Sequence, residues 1–217
     1  MSPFPSEIAF GALLQYAVRG QSPLSRRSRD VRTAIKTNGV LGGVAVIGHA
    51  ALRAKENLDA CGCLSRFLGP DVTLVPMPRS SLIKEGSLWP AMVICEALQD
   101  CGIGGSVLPC LSRAEAIGKA ALAAPGRRPD PPDHYRTIRV ESVRPLDAPR
   151  ALVLVDDIVT RGSSFVGVLP HLAATFPGIP IHCFALLRTV SQGEIASILD
   201  PVAGRITYRH GHLHRDP

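Results

Sequence analysis

The chain has 217 residues with 24 lysines and arginines against 18 aspartates and glutamates, a formal net charge of +6. Hydrophobic residues make up 46% and charged residues 19%, which supports a folded core and excludes disorder over most of the length. Because no apolar run approaches the roughly 18 residues of a membrane helix, and the N-terminus lacks a secretion signal, we expect a cytoplasmic protein that does not insert into a membrane.

The first seventy residues are predicted to be helical. Residues Glu7 to Val18 are apolar at helical intervals, and Ser6 precedes them as an N-cap. A second helix is expected from Ser28 to Lys36, and a third from Val40 to Leu58. We therefore expect residues 1–70 to form a helical N-terminal extension.

Shorter elements of both kinds are predicted next. Each strand is short and apolar, and the helix has its apolar residues at helical spacing. The strands are expected at Val72–Val75, Ser106–Leu108 and Thr137–Val140, and the helix at Ser87–Gln99. The segment Ala123–Asp133 is crowded with proline, glycine and arginine, and is predicted to be an exposed loop.

The strongest strand is predicted at Ala151–Val155, where a continuous apolar run is typical of burial on both faces. A helix at Gly162–Thr175 and a strand at Ile181–Leu187 follow it. Strand, helix and strand over about forty residues form a βαβ unit, which implies a parallel sheet. The sequence thus predicts an α/β core over residues 71–190, followed by a C-terminal segment and polar tail at 191–217.

Two adjacent acids, Asp156 and Asp157, come directly after this strand, at the sheet edge where open α/β proteins bind ligands. Residues Thr160 to Ser164 then form a turn of hydroxyl and glycine residues before a helix, so backbone N–H groups and the helix dipole favour an anion there. The carboxylates can accept hydrogen bonds from ribose hydroxyls and influence bound magnesium. This pattern indicates recognition of a phosphorylated sugar.

The segment from Val153 to Ser164 resembles the signature of type I phosphoribosyltransferases, in which two acids after a hydrophobic strand precede a Thr-Thr-Gly-x-Thr-like phosphate loop. The resemblance implies that Asp156 and Asp157 are catalytic residues that contact the ribose 2- and 3-hydroxyls of phosphoribosyl pyrophosphate, with magnesium held indirectly. It implies a 5-phosphate loop made of Thr160, Arg161, Gly162, Ser163 and Ser164. Arg161 stands where threonine is commoner, and either adds charge near the phosphate or turns to solvent.

A second similarity spans about residues 71 to 190. The segments Val75–Pro78, Leu111–Arg113 and Tyr135–Val140 occur in the order of the ComF-like, competence-associated branch of this family. There the Val-Pro-x-Pro strand end leads into a pyrophosphate-binding loop, which implies that Met77, Pro78, Arg79 and Ser80 lie near the pyrophosphate, with Arg79 as the charged catalytic residue. The four-cysteine zinc element of that branch has no counterpart in the first seventy residues.

The resemblance implies a magnesium-dependent enzyme that passes the ribosyl 5-phosphate group to a nitrogen acceptor, by default a nucleobase. The alternative is a non-catalytic protein of the same fold that senses phosphoribosyl pyrophosphate or a nucleotide and acts with nucleic acid or a protein partner. A basic N-terminal cluster and the unusual Arg161 favour the alternative, although the helical spacing of the cluster is also typical of a solvated face. The cluster is Arg26, Arg27, Arg29, Arg32 and Lys36. A homodimer is a candidate assembly, and a Walker-type hydrolase is disfavoured because G-x-x-x-x-G-K-[ST] does not occur.

Other residues with chemical potential have plainer interpretations. The six cysteines lack C-x-x-C pairs, so most are expected to be buried thiols, with a metal clamp or oxidation at Cys61 and Cys63 as the alternative. Lys84 and Lys119 are expected at the surface, with pyrophosphate contact as the alternative. His134 is expected to be structural or exposed. The histidines of residues 210–214 are expected in a frayed polar tail, with a transition-metal site as the alternative.

Overall fold

The computed structural model describes residues 2–82, 86–117, 129–141, 149–191 and 193–217. Lys84, Lys119 and residues 123–128 of the predicted loop lie outside the described residues. The strands are, in chain order, β1 (Glu7–Ala17), β2 (Val40–Leu41), β3 (Val44–Ala45), β4 (Thr73–Pro76), β5 (Ser106–Val107), β6 (Leu111–Arg113), β7 (Ile138–Val140), β8 (Leu152–Val159), β9 (Ile181–Val190), β10 (Leu199–Arg209) and β11 (His212–Asp216). The helices are α1 (Pro23–Thr37), α2 (Val46–Asp59), α3 (Pro90–Asp100), α4 (Pro131–Thr137) and α5 (Ser163–Thr175), with a 3₁₀ turn at Cys63–Arg66.

A seven-stranded, mostly parallel sheet forms the centre of this α/β protein, in the order β11-β10-β1-β9-β8-β4-β5. Neighbouring strands pair in parallel along the run β1-β9-β8-β4-β5, whereas β10 is antiparallel to both β1 and β11. The predicted βαβ unit is confirmed, because β8 and β9 are parallel neighbours joined through α5. Since β4 and β8 are also parallel neighbours, their carboxyl ends lie side by side.

Strand β8 is buried on both faces, as its sequence predicts. Leu152 and Leu154 pack in one hydrophobic cluster with Phe165 of α5. Val153 and Val155 pack in a second cluster, which includes residues of α1, α2 and α3. Helices therefore cover both faces of the sheet, and the fixed position of β8 sets the place of the residues that follow Val155.

The helix predicted from Glu7 to Val18 is wrong, because this segment is the strand β1 between β9 and β10. The first seventy residues are therefore not simply a helical extension. They supply a strand to the middle of the sheet. A strand buried on both faces and an amphipathic helix both give dense apolar runs, and spacing alone does not separate them. A Cβ at Gly11 would lie 2.9 Å from the Phe67 ring, so this strand packs closely on the 3₁₀ turn.

Helix boundaries differ from the predicted ones for local reasons. Helix α1 begins at Pro23, and the Ser22 side chain accepts a hydrogen bond from the Ser25 amide. The predicted cap Ser28 instead lies buried inside the helix, where its hydroxyl donates to the Ser25 carbonyl oxygen. A hairpin of β2 and β3 precedes α2, so that helix starts at Val46 rather than Val40.

Proline explains two further differences. Helix α3 begins at Pro90 rather than at Ser87, and α4 begins at Pro131, inside the segment predicted as a loop. Proline suits the first helical turn because the amide it lacks has no intrahelical acceptor there. A capping box between Asp130 and Asp133 fixes the start of α4.

The polar tail is also ordered, contrary to the prediction of fraying. Residues His212–Asp216 form the edge strand β11, which pairs with β10. In the part of the chain that the structure describes, we find no helix with both the length and the apolar character required to cross a bilayer.

Candidate functional site

A cleft of about 1200 Å³ opens where the carboxyl ends of β4 and β8 meet. Its wall is built from the end of β8, the turn before α5, the turn after β4 and one face of α1. All the residues assigned to the site from sequence line this one cleft. They are Met77, Pro78, Arg79, Ser80, Asp156, Asp157, Thr160, Arg161, Gly162, Ser163 and Ser164.

The turn before α5 depends on the backbone of Gly162. This residue is the N-cap of α5 and has φ of 86° and ψ of 17°, a left-handed conformation that disfavours any residue with a Cβ. A Cβ built there would also lie 2.2 Å from Cδ1 of Ile206. Ser163 and Ser164 follow in the first helical turn, where amides have no intrahelical acceptor, and both line the cleft. The turn is therefore suited to an anion.

Arg215 of β11 holds the beginning of this turn. Its Nε donates to the carbonyl oxygen of Thr160 at 2.7 Å, and its Nη2 donates to that of Thr189 at the end of β9. Burial lowers the pKa of Arg215 to about 10, helped by the charge of Arg188, so it remains protonated at neutral pH. Sequence reasoning missed this residue because the tail was expected to fray, and no motif marks it.

The two acids lie within β8 rather than after it, since β8 continues to Val159. The Asp157 amide donates to Oδ1 of Asp156 at 2.8 Å, and the Ser164 hydroxyl donates to Oδ2 of Asp156 at 3.1 Å. Lys36 of α1 donates to Oδ2 of Asp157 at 2.6 Å. Burial, and then the charge of Asp157, raise the pKa of Asp156 above its ordinary value, while Lys36 opposes the shift. A bound cation or hydroxyl donor would favour the ionised pair.

Hydrogen bonds also hold the turn after β4. The Met77 amide donates to the carbonyl oxygen of Val155 at 2.8 Å, and Nε1 of Trp89 donates to the carbonyl oxygen of Met77 at 2.7 Å. Arg79 donates through Nη1 to the carbonyl oxygen of Leu88 at 2.7 Å. The turn is thus fixed to β8 on one side and to the start of α3 on the other.

Arg113 is a buried cation beneath this turn, with 7% of its surface exposed. Its Nε donates to the carbonyl oxygen of Arg79 at 2.6 Å, and its Nη1 donates to the Thr137 hydroxyl at 2.6 Å. Burial lowers the pKa of Arg113 to about 10, and the charge of Asp156 opposes this, so the guanidinium stays charged at neutral pH. Arg113 belongs to the Leu-Ser-Arg segment noted in the sequence, but nothing there signalled its burial.

His134 of α4 is half-buried and also lines the cleft, next to Arg113. Burial, and then the charge of Arg113, lower the pKa of His134 to about 4, which leaves its imidazole neutral at neutral pH. Its Nδ1 is buried without a hydrogen-bond partner among the described residues. The sequence predicted a structural or exposed histidine and did not assign it to the cleft wall.

One face of α1 forms the remaining wall. The residues on it are spaced three or four apart, as one helical face requires. They are Arg29, Arg32, Thr33, Lys36 and Thr37. Three members of the basic N-terminal cluster thus face the cleft, whereas Arg26 and Arg27 are exposed and not part of its lining.

The carboxylates of Asp156 and Asp157 are the groups in the cleft lining whose chemistry suits Mg²⁺. The described residues contain no group of three or more histidine, cysteine, aspartate or glutamate side chains placed to hold a metal. The two carboxylates of Asp156 and Asp157 agree with the usual way in which proteins bind Mg²⁺, through one or two carboxylates together with substrate phosphates. All six cysteines are free thiols, and three of them are buried, whereas the sequence predicted burial of most.

When the chain is compared with known proteins, no family model matches it and no curated sequence is significantly similar to it.

Proposed function

We propose that this protein binds phosphoribosyl pyrophosphate with magnesium in the cleft and transfers the ribosyl 5-phosphate group to a nitrogen acceptor, with a nucleobase as the default. One observation carries the proposal. The left-handed turn at Gly162, the paired acids of β8 and the turn after β4 all line one cleft.

The three groups match the three parts of the ligand. The first amides of α5, with the hydroxyls of Ser163 and Ser164, suit the terminal 5-phosphate. The carboxylates of Asp156 and Asp157 can accept hydrogen bonds from two vicinal ribose hydroxyls. The charges of Arg79 and Arg113 suit a diphosphate leaving group, because they stabilise the charge that develops when the C1–oxygen bond breaks. Bound magnesium would offset the same negative charge.

The acids have a second role in the proposed reaction. Loss of pyrophosphate leaves positive charge on the ribose ring, and Asp156 and Asp157 would stabilise it. Lys36 holds Asp157 in the free protein. The lysine contacts Oδ2 of Asp157, and a carboxylate offers about four lone-pair sites, so ribose hydroxyls can bind to Asp157 without displacing Lys36.

Isothermal titration calorimetry with phosphoribosyl pyrophosphate, with and without MgCl₂, tests binding. We expect saturable, magnesium-dependent binding that weakens at least about ten-fold in Asp157→Asn, since a hydrogen bond to a charged group contributes about 1.5–3 kcal/mol. Asp30→Asn removes the same charge from an exposed position outside the cleft, and is the matched control. Equal losses in the two variants, or no binding by the wild type, would refute the proposal.

Pyrophosphate release in the presence of single nucleobases tests transfer. Release that requires both magnesium and an acceptor supports the enzyme. Tight, magnesium-dependent binding with no release from any acceptor would support the non-catalytic sensor instead. Both hypotheses, the enzyme and the sensor, require binding of phosphoribosyl pyrophosphate, which calorimetry measures. Only the enzyme requires turnover, so the two measurements together separate them.

A further inference from the structure

The pairing of β8 with β9 stops just before the turn that precedes α5. The last pair is Val159 with Arg188, so Thr160 and Thr189 are the first residues beyond the ladder. Because strand pairing no longer fixes the main chain there, the position of the turn, residues 160–164, depends on other contacts. This turn is the one assigned to the 5-phosphate, so the groups that support it also shape the anion site.

Arg215 of β11 supplies such a support. Its Nε donates to the Thr160 carbonyl oxygen at 2.7 Å, and its Nη2 donates to that of Thr189, so one guanidinium spans the two strand ends. Its Nη1 donates to the main-chain oxygen of Pro217 at 2.8 Å, and its guanidinium carbon lies 5.8 Å from the centroid of the Phe10 ring. All three nitrogens therefore have a partner, and a planar group held in this way has little freedom to turn.

The turn has a second contact with the same hairpin. Arg215 on β11 is the direct cross-strand partner of Ile206 on β10, and directly opposed side chains lie on one face of a sheet. Ile206 packs against Gly162, with no space left for a Cβ. The hairpin of β10 and β11 thus supports the turn at two places, through a hydrogen bond at Thr160 and a packed side chain at Gly162.

The hydrogen bond to Thr160 fixes the direction of an amide as well as that of a carbonyl group. Thr160 and Arg161 line the cleft, whereas Arg215 is not among the described residues of its lining. The Thr160 carbonyl oxygen, bound to Arg215, is therefore directed to the side away from the cleft. In a trans peptide the C=O and N–H bonds point in opposite directions. The N–H of Arg161 shares this peptide unit, so it points towards the cleft.

We propose that Arg215 is a positioning residue for 5-phosphate binding, and that it adds the Arg161 amide to the donors of the anion site. This inference rests on the proposed function, because it concerns the phosphate end of the same ligand. Without the guanidinium, the first peptide of the turn can rotate and present its carbonyl oxygen to the dianion. The loss of a donor and the gain of an acceptor both weaken phosphate binding. The main chain of Arg161, rather than its side chain, makes this contact.

Calorimetry with one compound for each end of the ligand separates positioning from a general loss of structure. Ribose 5-phosphate tests the turn before α5, and inorganic pyrophosphate with magnesium tests the turn after β4. Arg215→Gln should weaken binding of the first by about ten- to a hundred-fold and change binding of the second by less than about two-fold. Arg215→Lys keeps the charge without the planar fork, so it should recover only part of the affinity for ribose 5-phosphate.

Two variants of the same hairpin serve as controls. Arg209→Gln removes an exposed charge from β10. Leu213→Ala removes partly buried apolar area from β11 and leaves Arg215 in place. Urea denaturation measures the stability of every variant. Neither control should alter the ratio of the two affinities, even though Leu213→Ala lowers the free energy of unfolding.

The Arg161 amide can also be observed in the wild-type protein, so the test does not depend on the folding of a variant. In proton–nitrogen correlation NMR spectra, addition of ribose 5-phosphate should shift the Arg161 amide proton downfield, because it gains a hydrogen bond to phosphate. An unmoved Arg161 resonance, while the amides of Ser163 and Ser164 shift, would overturn the inference.

Other results would also overturn it. They are an equal loss of both affinities in Arg215→Gln, an equal change of their ratio in Leu213→Ala, and full recovery in Arg215→Lys, which would assign the effect to charge alone. A wild type that binds neither ribose 5-phosphate nor magnesium phosphoribosyl pyrophosphate would remove the proposed function and this inference together. Normal binding of both compounds that Arg215→Gln leaves unchanged would remove only the inference.

Discussion

Replacement of Gly162 by alanine should both destabilise the protein and weaken phosphate binding. The left-handed backbone at this residue costs an L-amino acid about 1–2 kcal/mol. The added Cβ would lie 2.2 Å from Cδ1 and 2.9 Å from Cγ1 of the fully buried Ile206, and overpacking of this kind costs about 1–3 kcal/mol. We therefore expect the free energy of unfolding to fall by roughly 2–5 kcal/mol.

Gly178 provides the control for the backbone contribution. Its φ is 79°, close to that of Gly162, but a Cβ there would meet nothing within 4 Å. Gly178→Ala should cost only about 1–2 kcal/mol. Urea denaturation of the wild type and both variants gives the difference directly, and that difference measures the contact with Ile206.

Ile206→Val tests the same contact from the other side, because it removes Cδ1. In the wild-type background it should cost about 0.5–1.5 kcal/mol. In the Gly162→Ala background it should recover stability, so the double-mutant cycle has a favourable coupling energy. The phosphate readout is the calorimetric affinity for ribose 5-phosphate, which should weaken at least about ten-fold in Gly162→Ala and not change in Gly178→Ala. Equal costs in the two alanine variants, with no coupling to Ile206, would show that the turn is not packed as described.

Three further predictions concern the rest of the cleft. The folded protein raises the pKa of Asp156, so the native state holds this proton more tightly than the unfolded state does. The free energy of unfolding of the wild type should therefore fall, relative to that of Asp156→Asn, as the pH rises above the ordinary aspartate range. Urea denaturation at pH 5 and pH 8 measures this, and an equal change in the two proteins would contradict it. Trp89→Phe leaves the Met77 carbonyl without its donor and should lower the free energy of unfolding by about 1–3 kcal/mol, measured by urea denaturation. In the wild type, this single tryptophan should report ligand binding through a saturable change in fluorescence. Arg113→Lys keeps the charge but loses the fixed pair of donors to the Arg79 carbonyl oxygen and the Thr137 hydroxyl, so ligand affinity should fall while the fold survives. An unchanged dissociation constant would remove its positioning role.

The sequence predicted the centre of the fold well because its signals there are local. A continuous apolar run, two acids, a glycine-bearing turn and a helix occupy adjacent positions from Val153 to Thr175, and the backbone of a βαβ unit fixes their relative places. The strand at Val72–Val75 was likewise predicted within one residue of β4. The neighbouring position of these two strands in the sheet is what puts Met77 next to Val155, and strand order was not predicted.

Strand β1 shows where local signals fail. Its residues include good helix formers, and no turn or proline interrupts it, so spacing favours a helix. Its pairing partners are β9 and β10, which lie more than 160 residues away in the chain. The hydrogen bonds and burial supplied by that pairing outweigh intrinsic propensity, and no short window of sequence contains them.

The position of β1 also explains the composition of the cleft wall. Because β1 lies beside β9 and runs parallel to it, the chain leaves the sheet at the same edge as β8, and α1 begins only a few residues later. The basic face of α1 is thereby carried to the mouth of the cleft, where Lys36 reaches Asp157. Had residues 7–18 formed a helix outside the sheet, nothing would have directed these charges inward. The strand that sequence reasoning missed is thus the reason that a surface cluster becomes part of the candidate site.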